Sequence, residues 1–65
     1  MELDRLVRRI KAEFLEMPGL RLTVHQACRL WGLERALCES VIDALVGSDF
    51  LRRSQAGLIR RNDAA

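Results

Sequence analysis

Residues 50–61 read FLRRSQAGLIRR. Phe50-Leu51-Arg52-Arg53 and Leu58-Ile59-Arg60-Arg61 are strand-length pieces, separated by Ser54-Gln55-Ala56-Gly57. A loop of that length containing glycine suits a β-hairpin. Upstream, apolar residues recur at helical spacing almost throughout. The change of period near residue 50 therefore decides the fold class: mainly α, with a small antiparallel hairpin at the end.

Moving back along the chain, Leu37, Cys38, Val41, Ile42 and Leu45 form an apolar helical stripe, which Gly47 is expected to close. Before it, Thr23-Val24-His25-Gln26 fits a capping box, with the Thr23 hydroxyl and the Gln26 side chain each serving the other's backbone N–H. Val24, Ala27, Cys28 and Trp31 make that helix's apolar stripe, and Gly32 suits a left-handed C-cap. The chain restarts at once with Leu33 and Glu34. Leu20-Arg21-Leu22 reads as a short extended segment with both leucines on one face. The N-terminal stretch Glu2–Met17 is an amphipathic helix: Leu3, Val7, Ile10 and Phe14 recur at steps of four, three and four, flanked by Leu6 and Met17. Pro18-Gly19 stops it.

A chain of 65 residues holds one domain at most, taken as residues 1–61 with 62–65 as a polar, disordered tail. A chain this short buries only about 60% of its unfolded surface, so its stability is small and dimerisation would help. Leu3, Leu6, Val7, Ile10, Phe14 and Met17 offer a wide apolar face for a homodimer through the first helix. The balance of 49% hydrophobic against 31% charged residues is that of a folded chain. Charges interrupt every apolar segment, so no membrane span is expected. MELDRLVRR lacks the features of a signal peptide, and a cytoplasmic protein is expected. Cys28 and Cys38 are too few for a disulfide framework and lack metal-ligand spacing. Small core residues is their plain reading, a redox pair or metal site the sharper one.

Nothing in the sequence assembles catalytic machinery. His25 is the sole histidine and falls on the exposed side of its helix. Ser40, Ser48 and Ser54 have no spacing that pairs them with it. The four glycines are isolated punctuation rather than a phosphate loop. No enzyme, cofactor or metal is expected.

The order helix, short strand, helix, tight turn, helix, hairpin resembles the winged helix-turn-helix domain of bacterial transcription regulators. LTVHQACRLWGLERALCESVIDAL looks like the helix-turn-helix, with Ala27 where the helices approach closely and Gly32-Leu33 at the turn. FLRRSQAGLIRR looks like the wing, and Leu20 to Leu22 like the strand that pairs with it. The resemblance covers nearly the whole chain. It departs from the pattern at Asp49, where many such domains carry glycine before the wing; Asp tolerates the left-handed conformation better than most residues.

The resemblance implies double-stranded DNA as partner and a small transcription regulator as function. Residues 50–61 carry Arg52, Arg53, Arg60 and Arg61 and no acid. Arg53 and Arg60 are expected to stand near each other across the hairpin, where like charges repel and a phosphate would relieve them. A narrow minor groove is a further candidate for these arginines. Alternation sends one arginine of each pair to each side, so only a subset meets DNA. Their plain reading is solubilising charge on an edge strand. Arg35 near the start of the third helix and Arg29 on the second complete the candidate nucleic-acid-binding set. The third helix nevertheless exposes Glu34, Glu39 and Asp43 against Arg35, the reverse of a helix built for a polyanion. The rival reading is a protein-interaction module whose acidic third helix meets a basic partner surface.

Overall fold

A computed structural model of the protein describes residues 2–62, with side chains from residue 3 onward. The element order is α1 (Glu2–Glu16), β1 (Leu22–Thr23), α2 (Val24–Trp31), α3 (Arg35–Gly47), β2 (Leu51–Arg53) and β3 (Leu58–Arg61). The chain is mainly helical, with a small three-stranded antiparallel sheet in the order β1-β3-β2. Leu22 pairs with Ile59 and Thr23 with Leu58; on the other side of β3, Leu51 pairs with Arg61, Arg52 with Arg60 and Arg53 with Ile59.

Local chemistry sets the helix ends. α1 stops just before Met17-Pro18-Gly19, and Leu20 N–H closes that turn on the Met17 carbonyl. α2 opens with the reciprocal capping box: Gln26 N–H donates to Thr23 Oγ1 at 3.1 Å, and Thr23 N–H to Gln26 Oε1 at 2.9 Å. Removing one half of a capping box costs about 1 kcal/mol. Thr23→Ala is expected to lower the melting temperature by roughly 4–8 °C in a domain of this size, measured by circular dichroism. Gly32 takes φ 64°, and the Leu33 N–H returns to the Cys28 carbonyl across it. That left-handed residue turns the chain from α2 into α3.

α1 ends at Glu16 rather than Met17, and β2 begins at Leu51 rather than Phe50. β1 begins at Leu22 rather than Leu20, because only Leu22 and Thr23 find partners on β3. α3 ends at Gly47, as expected. The left-handed position falls on Asp49, at φ 64°. Asp49 N–H bonds the Val46 carbonyl and Phe50 N–H the Leu45 carbonyl, each at 3.0 Å, which makes a Schellman motif with aspartate where glycine is usual. Asn62, expected in the tail, belongs to the fold. Its N–H donates to the Phe50 carbonyl and its Nδ2 to the Asp49 carbonyl. The rest of the expected tail, residues 63–65, lies outside the described residues.

The core gathers Ile10 and Phe14 of α1, Ala27 and Trp31 of α2, Cys38, Val41, Ile42 and Leu45 of α3, Leu51 of β2 and Ile59 of β3. Phe14 meets Trp31 edge to face, with ring centroids 6.2 Å apart. Trp31 is thus a core residue; its Nε1 and the Glu13 Oε2 are buried without a hydrogen-bond partner among the described residues. The α1 stripe offered as a dimer face is mostly spent inside the domain. Ile10 and Phe14 are fully buried and Leu6 and Val7 pack on the core, which leaves Leu3 and Met17 partly exposed. Among the described residues, no helix is long and apolar enough to cross a membrane.

Candidate nucleic-acid interface

The hairpin is closed from inside. Ser54 N–H donates to the Leu58 carbonyl at 2.8 Å, Leu58 N–H returns to Ser54 Oγ at 3.1 Å, and Gly57 turns the loop at φ 81°. This closure sets the register, and the register sets the faces. Opposite residues in an antiparallel pair share a face, and neighbours along a strand alternate. Leu51 and Ile59 are buried, so Arg53 and Arg61, two residues along from each, share the core-facing side. Arg52 and Arg60 stand on the outer side, directly opposite each other.

That corrects the expected pairing of Arg53 with Arg60. Arg53 lies opposite Ile59, and a register difference of one residue moves a side chain to the other face. Arg53 reaches α3 instead, where its Nη2 donates to Asp43 Oδ1. Arg61 stacks on Phe50, its guanidinium carbon 5.7 Å from the ring centroid; Lys11 of α1 covers the same ring at 5.1 Å. Arg53 is thus tied to α3 by an exposed ion pair, and Arg61 to Phe50 in the connection before β2.

The outer face carries a third arginine that the sequence reading left out. Leu22 packs against the core, so Arg21, the residue before it, points the other way and is exposed. The β1–β3 register, continued by one residue, places Arg21 opposite Arg60. Arg21, just before β1, thus extends the row that Arg60 and Arg52 form across the hairpin. None of the three side chains has an ion-pair or hydrogen-bond partner among the described residues. The alternation in Leu20-Arg21-Leu22 was a visible sign of Arg21's direction; its place beside Arg60 needed the sheet.

The two remaining candidates lie apart from this row on the helices. Arg35, the first residue of α3, pairs with Glu39 one turn on, Nε to Oε2 at 3.3 Å. Arg29, in the last turn of α2, lines an open hollow of about 520 Å³ with Leu22, His25, Gln26 and Leu30. The six arginines singled out from sequence thus divide into two on the outer sheet, two on its inner side engaged by Asp43 and by Phe50, and two on the helices. Of the α3 acids, Glu39 and Asp43 each hold an arginine. Ser40 Oγ donates to the Ala36 carbonyl.

Cys28 and Cys38 face each other between α2 and α3. Burial pushes the Cys38 thiol up from 9.0 to about 12, and its hydrogen bond with the Cys28 side chain adds to the effect. No group of three or more metal-ligating side chains exists among the described residues. Compared with known proteins, the chain matches no family model, no curated protein and no solved structure.

Proposed function

We propose that the chain is a winged helix-turn-helix domain that binds double-stranded DNA, as a small transcription regulator working in the cytoplasm. The fold reading is supported by the order of the elements, by the Gly32 turn between α2 and α3, and by β1 pairing with β3 of the hairpin. The single observation that carries the functional reading is the juxtaposition of Arg52 and Arg60 on the outer face of the hairpin, with no acid among the described residues paired to either. Two guanidinium groups side by side repel, and a phosphodiester between them relieves that repulsion. The reading through an acidic α3 draws less support, because Glu39 and Asp43 are already engaged by arginines.

Fluorescence anisotropy with a labelled duplex tests this. The double variant Arg52→Ala/Arg60→Ala is expected to bind about twentyfold more weakly. The slope of log affinity against log salt is expected to fall by about 2. Arg53→Ala, which removes only an exposed ion pair with Asp43, is expected to leave affinity within about twofold. Unchanged affinity and slope in the double variant would rule out the hairpin as the contact.

A further inference from the structure

We infer that the DNA-binding surface is the outer face of the whole three-stranded sheet, with Arg21 as its third member, and that it holds the phosphate backbone of a duplex without reading base sequence. This rests on the proposal of DNA binding but changes its geometry: the contact is the row Arg21–Arg60–Arg52 rather than α3 in a groove.

The row resists the plain explanation. Charges on edge strands discourage sheet-to-sheet aggregation, and that accounts for Arg21 beside β1 and Arg52 on β2, the two edges. Arg60 sits on β3, the central strand, where no edge needs protection. Placing it between two further arginines brings repulsion on both sides, and no side chain among the described residues offsets it.

The dimensions select the part of the nucleic acid. Strands lie about 4.8 Å apart, so the row spans about 10 Å at its base. A minor groove is about 6 Å wide and admits a single arginine, not a row. Successive phosphates along one strand form a line of charge that such a row can follow.

The surroundings argue against base reading. On the outer face the row's neighbours are Thr23, whose hydroxyl already caps α2, and Leu58. The Thr23 oxygen is held by the Gln26 N–H, and Leu58 has no polar side-chain group. The α3 side presents Arg35 against Glu39 and Asp43, and its Ser40 hydroxyl is bonded to its own helix. The absence of aromatics from the outer face also favours a duplex over a single strand. Phe14 and Trp31 are in the core, and Phe50 lies against it beneath Lys11 and Arg61, so unpaired bases find no stacking surface.

The test uses the full chain and anisotropy titrations between about 50 and 200 mM salt. The probes are two short duplexes of unrelated sequence and an oligothymidine single strand. Arg21→Ala is expected to weaken both duplexes equally, by about fivefold, and to lower the salt slope by about 1. Arg21→Lys, which keeps the charge, is expected to restore the slope. Arg35→Ala is expected to leave both affinities within about twofold, and the single strand to bind more weakly than either duplex. Arg21 is exposed, so matched circular dichroism melting curves will show that the variants are folded. If Arg52→Ala/Arg60→Ala weakens binding while Arg21→Ala changes nothing, the sheet-face inference falls and the hairpin reading stands. A preference of more than about tenfold between the duplexes, or loss of binding in Arg35→Ala, overturns the inference in favour of base reading by α3. A wild-type chain that binds no duplex at low salt overturns both.

Discussion

Phe14→Ala is expected to remove much of the domain's stability and shift its urea midpoint far below that of the wild type. Phe14 is fully buried, and its ring closes edge to face on Trp31, joining α1 to α2. Truncating a buried phenylalanine to alanine costs about 3–5 kcal/mol, through lost transfer energy and the cavity left behind. At about 0.05–0.15 kcal/mol per residue, the total stability of so short a chain is about 3–10 kcal/mol. One substitution therefore removes much or all of it. The neighbouring residue is the control. Leu15 is 51% exposed, and Leu15→Ala is expected to cost under about 0.5 kcal/mol. Urea unfolding followed by far-ultraviolet circular dichroism separates the two. A Phe14→Ala midpoint close to that of Leu15→Ala would mean that α1 is not packed as described.

The second large effect is a loss of stability in alkali that traces to Cys38. Its thiol is pushed up from 9.0 to about 12, mainly by burial, so the folded state keeps this proton where the unfolded chain has released it. Above pH 9 the unfolded state binds fewer protons, and stability falls by about 1.4 kcal/mol per pH unit until the folded thiol itself ionises near pH 12. Below pH 9 the thiol is protonated in both states and the effect vanishes. By pH 11 the loss amounts to about 2.5 kcal/mol. The chain has no tyrosine and one lysine, and Cys28→Ala serves as the control for its second thiol. Urea midpoints for wild type and Cys38→Ala at pH 8, 9.5 and 11 are expected to converge as the wild type weakens and the variant does not. Parallel curves would show that Cys38 is not the source. The same shift predicts that iodoacetamide at pH 8 reacts with Cys28 well before Cys38, since the thiolate is the nucleophile.

What the sequence determined by itself is the set of features that act over a few residues. The helix start at Thr23 was legible because a hydroxyl and an amide three residues apart satisfy each other's backbone groups. Pro18-Gly19 and Gly32 marked ends because their backbone preferences are intrinsic. Helical periodicity exposed the buried stripe of α3, and the hairpin's two strands and glycine loop were visible as a change of period. Asp49 shows the boundary of this kind of reading. Its tolerance of a left-handed backbone was legible, but the bonds from Asp49 and Phe50 back to Val46 and Leu45 were not, because they depend on how the chain leaves α3.

What only the tertiary structure decided is which arginines act together. A strand's side chains alternate with period two, so the face of each depends on a register fixed between segments, not within one. FLRRSQAGLIRR announces four arginines but not that Arg53 turns to Asp43 and Arg61 to Phe50. Arg21 lies 31 positions before Arg52, and nothing local ties them; β3, lying between β1 and β2, brings them into one row with Arg60. The acids of α3 were legible as charges on an exposed side, but their neutralisation by Arg35 and Arg53 follows from side-chain geometry and from the packing of the hairpin against that helix. Charge count is a property of the sequence, whereas the pattern of charge a partner meets is set by contacts between residues distant along the chain.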